Sequence, residues 1–403
     1  MAATSGAVAA GAVLGGFDAE GGFTGPGRPV HSWSRWELEG RGPPSRGGRF
    51  WQDWEAQLDR VAAAGFDSVR VCVEWARCEP LEGRLDAEAV ATYGRLLDRC
   101  HEHGLQPVVV LHRLAHPAWT GADLWLQPDA PERFSSWADV AVRHFAGRAH
   151  QWVTIDQLNA SALFAYLSGR HPPGRRLDVT ATVRGLDNLL AAHVLAYGVI
   201  KERQPRAVVS TGNRHLPVYE LDRLLVDVLL GRRDGVGRHD LYGWLAERRR
   251  AHEAGPDGAR TGRVGRALRA LVRDALPLSQ ALPRSVAAVY DAPCDLAIDR
   301  LEVAAEPGDG FRLLPVPGRA HRVGAWVDHG GELLAACRAA HGTGLPLSVV
   351  GDAPVGVRAL RRRRAEVAAA AAGGAQVTGY HQRVSPAALD ALAADAAAGA
   401  AGR

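Results

Sequence analysis

Lysine and methionine are almost absent from this chain: each occurs once in 403 residues. The basic side chains are therefore nearly all arginines, and the formal net charge at pH 7 is only +4. These arginines are scattered, and the one dense run, Arg361–Arg364, opens an alanine-rich helical pattern. Because no aromatic residues interleave with that run, we interpret it as a solvated helix face and expect no nucleic-acid partner.

Cysteine is also scarce. The five cysteines are odd in number and widely spaced, and the chain has no Cys-x-x-Cys motif or Cys/His cluster. This spacing argues against the common zinc motifs and against a disulfide framework. The sequence therefore predicts reduced thiols in a cytoplasmic protein without a metal or other cofactor.

Long apolar runs are missing as well. None approaches the ~18 residues of a membrane-spanning helix. The small, apolar N-terminus lacks the charged region of a signal peptide and leads into a plausible first strand. We therefore expect no membrane partner and no export, and the oligomeric state stays open.

Short apolar segments alternate with longer helical patterns along most of the chain. This alternation is typical of βα units around a parallel sheet, whose strands are buried on both faces. Hydrophobic residues make up 47% of the chain, enough for one large core. We expect a single α/β domain over residues 1–403, a (β/α)8 TIM barrel. The eight expected strands are Ala12–Phe17, Ser68–Val73, Gln106–Leu111, Trp152–Asp156, Ala207–Thr211, Asp295–Asp299, Pro346–Val350 and Gln376–Tyr380.

Helical patterns fill most of the intervals between these strands. The segment 231–283 breaks the rhythm, because it is rich in arginine, glycine and histidine. It has little apolar material for a core of its own, so we interpret it as an elaborated loop between strands five and six. The expected helices are Trp51–Ala64, Ala87–His103, Pro131–Phe145, Thr180–Arg203, Gly331–His341, Val355–Ala372 and Pro386–Ala398.

The most informative motif is Trp152–Gly174, WVTIDQLNASALFAYLSGRHPPG. A short apolar strand ends in polar residues, runs into an apolar helix start and closes with a Pro-Pro-Gly loop. This segment resembles the one that carries the acid/base glutamate of glycoside hydrolase family 1, W-x-T-I-N-E-P-N followed by G-Y-x-x-G-x-x-P-P-G. In that register, Asp156 stands at the family's asparagine and Gln157 at its catalytic glutamate.

Three further blocks resemble the same family in the same order. Gly65–Gly83 resembles the second-strand block, with Arg70 at the arginine that lies near the nucleophile. Leu111–Trp119, LHRLAHPAW, resembles L-H-H-F-x-x-P-x-W, with Arg113 in place of a sugar-binding histidine. Asn188–His193 matches N-L-L-x-A-H. The resemblance implies a barrel with its site at the carboxyl ends of the strands, and a sugar, a glycoside or another polar metabolite as ligand.

The resemblance also implies that the family's catalytic groups are missing. Retaining glycosidases use two carboxylates about 5–5.5 Å apart, one as proton donor and one as nucleophile. Gln157 is uncharged and cannot cycle a proton. Where the family's seventh strand reads I-T-E-N-G, this chain reads LSVVGDA, which puts Gly351 at the nucleophile position. Asp18 replaces a first-strand glutamine, and Arg300 and Leu301 fall near the usual Asn-Tyr pair.

A carboxylate stands beside each missing one. Asp156 precedes Gln157 and Asp352 follows Gly351, so a relocated acid/base pair is one interpretation. A shift of one residue along a strand reverses the direction of the side chain. We therefore favour Asp352 as the N-cap of the helix after strand seven. For Asp156, chemistry and polar lining stay open alternatives.

Other candidates for the site have two interpretations each. Arg70 binds an anionic ligand group or, as we favour, pairs internally with Glu74 or Asp156. Asn159 contacts the ligand or satisfies backbone groups of its loop. The predicted catalytic positions are Asp156 and Gln157. The predicted ligand-binding residues are Asp18, Arg70, Glu74, His112, Arg113, Asn159, Asp352 and Tyr380.

The leading hypothesis is a pseudoglycosidase, repurposed in specialised metabolism to bind and transform a small organic molecule. Asp156 would handle protons, and Arg70 and Arg113 would stabilise charge. A second hypothesis is a catalytically silent binding or scaffold protein. A third is a cryptic glycosidase or transglycosylase with relocated carboxylates, such as Asp18, Glu74 or Asp352.

Overall fold

The computed structural model describes residues 8–25, 27–41, 48–216, 218–255, 270, 282–293, 297–304, 337, 340 and 342–401. Eight parallel strands, β1 to β8, close into a barrel in which each strand pairs with the next and β8 pairs with β1. The expected α/β barrel is therefore confirmed. The strands are Ala9–Leu14, Ser68–Cys72, Gln106–Val110, Gln151–Val153, Val208–Arg214, Arg300–Ala304, Leu347–Val355 and Val377–Val384.

Helices pack outside the strands. Val179–Arg203 begins after Asp178, whose carboxylate accepts a hydrogen bond from the Ala181 amide, and Asp86 caps the helix Ala87–Glu102 in the same way. None of the helices in the described ranges is long and apolar enough to cross a membrane. The α-helices are Phe17–Glu20, Ser32–Leu38, Phe50–Ala63, Trp75–Cys78, Ala87–Glu102, Ala130–Phe145, Leu158–Ala162, Val179–Arg203, Arg223–Gly231, Leu241–Ala254, Pro283–Asp291, Val357–Ala372 and Pro386–Ala401. Short 3₁₀ or π turns occur at Ala118–Thr120, Leu124–Leu126, Leu163–Leu167 and Tyr219–Leu221.

The sixth strand differs from its expected position. The sequence predicts it at Asp295–Asp299, and the structure has β6 at Arg300–Ala304. Leu301 and Val303 of this strand join the large core between barrel and helices. The shift puts Arg300 at the amino end of β6, whereas the predicted strand ends just before it.

The interior of the barrel has an apolar part and a polar part. Barrel interiors are usually filled by branched apolar residues, and here only one side follows that rule. On the other side, the ring of His381 lies 3.1 Å from the Ser68 hydroxyl and 3.4 Å from the Ser348 hydroxyl. Gly11 makes room for that ring, because a Cβ at this position would lie 2.2 Å from the ring carbon Cδ2. The apolar part consists of Cys72, Val108, Val110 and Val153.

Asp352 is not a helix N-cap. β7 continues through this position to Val355, and the helix Val357–Ala372 has Gly356 at its N-cap. The expectation is wrong because the strand is longer than its apolar core, Leu347–Val350, indicates.

Part of the segment 231–283 is described, including the helix Leu241–Ala254. The interpretation of the whole segment as an elaborated loop stays a prediction. The expected helix Gly331–His341 lies largely outside the described residues, as does Cys294. The other four cysteines are buried and form no disulfide.

Candidate functional site

The barrel interior holds a cluster of charged residues centred on Arg70. This guanidinium contacts both carboxylate oxygens of Asp156, at 3.0 and 3.1 Å, and Glu302 Oε2 at 2.7 Å. Each of the three side chains is only 1% exposed. The favoured internal pairing of Arg70 with Asp156 is therefore observed, with Glu302 as its second partner.

Two further arginines complete this group. Arg113 Nε lies 3.3 Å from Asp156 Oδ2, and Arg300 Nη2 lies 4.0 Å from Glu302 Oε1. Burial lowers the pKa of Arg300 and raises the pKa of Glu302, although the charge of Arg70 opposes the second shift. We call Arg70, Arg113, Asp156, Arg300 and Glu302 the arginine cluster.

Glu302 was not among the residues predicted from the sequence. Its signal is the alternation in RLEVA, where Arg300 and Glu302 share one face and Leu301 and Val303 the other. The apolar run before Asp299 hid this signal, because it placed the sixth strand too early. A strand with two charged residues on its inner face is recognisable only once the strand boundary is right.

A glycine on β5 gives the cluster its space. A Cβ at Gly212 would lie 3.3 Å from Asp156 Oδ1 and 3.3 Å from the Cβ of Glu302. These separations are tight, so a larger residue there would press directly on both carboxylate-bearing side chains. Gly212 thus leaves room where Asp156, which follows β4, and Glu302, on β6, approach each other.

Gln157 lies beside Asp156 at the start of the helix Leu158–Ala162. Its backbone is left-handed, with φ 49° and ψ 53°, which is rare for a residue other than glycine, asparagine or aspartate. Such strain is often kept at functional positions. The side chain is buried, and a Cβ on Gly212 would lie 3.2 Å from the backbone nitrogen of Gln157.

Gly351 does not face the barrel interior. A Cβ at this position would lie 2.0 Å from Gln382 Oε1 and 2.5 Å from Arg363 Nη1. Arg363 belongs to the helix Val357–Ala372, outside the barrel, and donates a 2.6 Å hydrogen bond to Gln382 Oε1. Position 351 therefore points towards the helix layer. Arg363 is itself buried, so the expected solvated face of the arginine run is wrong for this residue.

Tyr380 lies on the same outer side. Its hydroxyl donates a 2.7 Å hydrogen bond to Gln382 Oε1, and its ring belongs to the core between barrel and helices. The predicted ligand contact of Tyr380 is thus not favoured by its position.

Two other predicted residues contact the protein itself. Asn159 donates to the carbonyls of Arg214 and Leu221 at 2.7 and 2.9 Å, and its amide oxygen accepts from the Arg214 amide. These bonds agree with the alternative that Asn159 satisfies backbone groups. The ring of His112 packs edge-on against Trp125, and burial lowers its pKa to about 3.

Glu74 belongs to a second group of buried polar residues. Its carboxylate oxygen Oε1 accepts from the Cys72 thiol at 3.3 Å. Next to it, Glu20 is fully buried, pairs with Arg77, and accepts from the Tyr93 hydroxyl at 2.8 and 2.9 Å. We call Glu20, Cys72, Glu74, Arg77 and Tyr93 the glutamate cluster.

Metal binding finds no support in the part of the chain that the structure describes, where no group of three or more His, Cys, Asp or Glu side chains could hold an ion. For Asp18 and Asp352 the structure describes the backbone and not the side chain. The described site is thus made of arginines, carboxylates and amides, groups that recognise polar organic molecules by hydrogen bonds.

Solved structures with this architecture include a β-glucosidase from Thermotoga maritima in complex with deoxynojirimycin. It matches with a TM-score of 0.69 at 15% identity, over 93% of this chain and 87% of that one. A β-glucosidase from Exiguobacterium marinum matches with a TM-score of 0.64 at 16% identity, over 94% and 90%. At these identities the likeness shows the fold.

Curated relatives match over shorter segments. The 6-phospho-beta-galactosidase 1 of Streptococcus pneumoniae is 26% identical over 234 residues, 56% of this chain and 47% of that protein. The cyanidin 3-O-glucoside 7-O-glucosyltransferase (acyl-glucose) of Delphinium grandiflorum is 35% identical over 114 residues, 28% and 23%. The matched segment thus spans less than half the length of either relative.

The family model for glycosyl hydrolase family 1 matches residues 8–225, more than half of the chain. The matched range contains Arg70, Arg113, Asp156 and Gln157, and it runs through the first five strands. The chain therefore belongs to glycosyl hydrolase family 1.

Proposed function

We propose that this barrel binds a small polar organic molecule at the carboxyl ends of its strands and does not hydrolyse glycosides by the retaining mechanism. The observation that carries the proposal is the absence of a carboxylate at both positions where the family resemblance expects one, Gln157 and Gly351. The leading interpretation is a repurposed pseudoglycosidase, and a non-catalytic binding protein is the alternative.

The amide of Gln157 cannot replace the acid/base glutamate. A general acid must release and recover a proton near neutral pH, and a carboxamide does neither. The left-handed backbone and the burial of Gln157 support a role in shaping the site. The amide remains able to donate and accept hydrogen bonds, as a ligand contact requires.

Position 351 offers no place for a nucleophile. A side chain there would meet Gln382 and Arg363 and would point away from the barrel interior. Restoring a glutamate at this position would therefore not recreate an attacking carboxylate.

One pair of carboxylates lies close together in the arginine cluster. Asp156 Oδ1 and Glu302 Oε2 lie 3.0 and 2.7 Å from the same Arg70 nitrogen, so they are at most 5.7 Å apart, the sum of these distances. This observation favours a cryptic glycosidase or transglycosylase as the second candidate. The guanidinium of Arg70 stands between the two oxygens, however, and both side chains are 1% exposed. We therefore favour an ion pair that positions Arg113 and Asp156 for ligand binding.

Turnover of activated 4-nitrophenyl glycosides tests the proposal, because such leaving groups need little acid assistance. The wild type is compared with Asp156→Asn, Asp352→Asn and the matched surface variant Asp395→Asn, whose carboxylate pairs with Arg361 in solvent. We expect no turnover in any of them. Turnover that Asp156→Asn or Asp352→Asn removes and Asp395→Asn retains would overturn the proposal in favour of relocated carboxylates.

Ligand binding is tested separately, by calorimetric titration with deoxynojirimycin. We expect heat of binding in the wild type and in Asp395→Asn, and at least tenfold weaker binding in Asp156→Asn, because Asp156 contacts both Arg70 and Arg113. Equal affinity of all three proteins would show that the arginine cluster does not contact the ligand.

A further inference from the structure

Glu74 follows the carboxyl end of β2, two residues after Cys72. Side chains alternate along a strand, so Arg70 and Cys72 share the face that enters the barrel, and the Glu74 carboxyl contacts the Cys72 thiol on that face. Arg70 reaches Asp156 and Glu302 inside the barrel, and Cys72 belongs to the interior apolar cluster. The same face therefore brings the Glu74 carboxyl to the rim of the interior, where it is 3% exposed.

Glu74 differs from the other buried carboxyls around it in its counter-ions. Asp156 has Arg70 and Arg113, and Glu302 has Arg70. Glu20 has Arg77 and the Tyr93 hydroxyl. Among the described residues, no Arg, Lys or His nitrogen lies within ion-pair distance of Glu74. Its carboxyl contact there is the Cys72 thiol, while the Tyr93 hydroxyl accepts from its backbone amide at 3.1 Å.

A buried carboxyl without a counter-ion is more stable with its proton than without it. Burial, and then the negative charge of Glu20, raise the pKa of Glu74 to about 8, while Arg77 and Arg113 act in the opposite direction from farther away. Burial raises the pKa of Glu20 and Glu302 as well, but Arg77 and the Tyr93 hydroxyl oppose the shift at Glu20, and Arg70 and Arg300 oppose it at Glu302. Burial raises the pKa of the Cys72 thiol and of the Tyr93 hydroxyl well above the ordinary values, so both stay protonated.

We infer that Glu74, rather than Asp156, is the proton-carrying residue of this site and donates its proton to an oxygen of the bound molecule. This inference rests on the proposed function, because it needs a ligand at the carboxyl ends of the strands. The O–H bond of the Glu74 carboxyl breaks as an O–H bond forms on the ligand. The charge of Arg113 then stabilises the Glu74 carboxylate. Solvent returns the proton when the ligand leaves. Of the two carboxyl groups Glu74 and Asp156, Asp156 is held between two arginines and stays the permanent anion.

Infrared spectroscopy can test which residue holds the proton without any ligand. The carbonyl band of a protonated carboxylic acid is followed from pH 5 to pH 10 in the wild type, Glu74→Gln, Glu74→Asp and Asp156→Asn. Glu79→Gln is the matched control, since Glu79 lies five residues away and binds Trp75 and Gly83. Glu74→Asp keeps a carboxyl at the position and shows whether the band depends on it.

We expect a band in the wild type that disappears with a midpoint near pH 8. It should be absent in Glu74→Gln and present in Glu74→Asp, Asp156→Asn and Glu79→Gln. A band that persists in Glu74→Gln, or that Asp156→Asn removes, would overturn the inference, as would a wild type without a band above pH 6.

Activity separates failure of the inference from failure of the proposed function. If a substrate is turned over, the rate should fall as the pH rises through about 8, and Glu74→Gln should lower kcat at least a hundredfold with KM nearly unchanged. An alkaline limb that is unchanged in Glu74→Gln rules out proton donation by Glu74. If the protein turns over nothing, the chemical half of the proposed function fails, and the infrared bands still decide which residue carries the proton.

Discussion

The two buried clusters share strand β2 and differ in how their charges are matched. In the arginine cluster, three guanidinium groups surround two carboxyls, and Arg70 touches both of them at 3.1 Å or less. In the glutamate cluster, one guanidinium, Arg77, faces two carboxyls. The first arrangement stabilises fixed charges, whereas the second leaves one carboxyl that is best kept neutral. Arg70 on β2 and Glu74 just after it are four positions apart and have different roles, and the number of nearby cations decides which role each has.

Removing the central cation should produce the largest effect. In Arg70→Met, Asp156 and Glu302 lose their shared partner while staying buried, and breaking a buried ion pair in this way destabilises by about 3–5 kcal/mol. Denaturant unfolding of the variant measures this loss. The control Arg361→Met removes an exposed arginine that pairs with Asp395 and should change the free energy of unfolding by no more than about 0.5 kcal/mol. Equal stability of the two variants would mean that the arginine cluster is not compact in solution.

The contribution of the glutamate cluster to stability should depend on pH in the opposite way from that of an ordinary ion-paired carboxylate. Since the pKa of Glu74 is about 8 in the folded chain and 4.5 is its ordinary value, the folded state keeps a proton that the unfolded state releases. The stabilisation is complete below about pH 4.5 and is lost as the pH rises through about 8.

Glu74→Gln should remove this slope and raise the free energy of unfolding at pH 8.5 by several kcal/mol relative to the wild type, since each unit of pKa difference is worth about 1.4 kcal/mol. Unfolding curves at pH 5, 7 and 8.5 measure it. Parallel pH profiles of wild type and variant would show that Glu74 is ionised in the folded protein.

A substitution at Gly351 measures how tightly the side of β7 that faces the helices is packed, for comparison with the two buried clusters. In Gly351→Ala, the new Cβ displaces Gln382, which accepts from Arg363 and Tyr380 and donates to the Gly351 carbonyl at 3.0 Å. Loss of these buried hydrogen bonds should destabilise by about 1–3 kcal/mol. In a Gln382→Ala background, the same substitution should have a smaller effect, since the nearer of the two obstructing side chains is gone and Arg363 remains. Equal losses of stability in both backgrounds would show that contact with Gln382 is not the cause of the destabilisation.

The fold could be predicted from the sequence because its signals are local. Continuous apolar strands and helical patterns such as Ala87–His103 lie in single stretches of chain, and the family motifs fix their order. The composition of the two clusters could not be predicted, because it depends on partners far apart: Arg70 and Glu302 are 232 positions apart in the chain. Gly351 shows the same limit, since its direction depends on the register of β7 against β8.

The smallest expected effect on the free energy of unfolding comes from His381. This residue of the polar barrel interior should make the protein less stable at acidic pH. Burial, and then the charges of Arg300 and Arg70, lower the pKa of His381 to about 3. The folded state therefore keeps the ring neutral where the unfolded chain takes up a proton, so stability is lost as the pH falls below about 6.5. Between pH 7 and 5.5 this loss amounts to about 1 kcal/mol. His381→Gln should abolish that part of the acid limb while leaving the alkaline slope from Glu74 in place. His381 lies in the field of Arg300 and Arg70, both of the arginine cluster. If the substitution instead changed the alkaline slope, the arginine cluster and the glutamate cluster would titrate together, and Glu74 would not carry its proton independently of the arginine cluster.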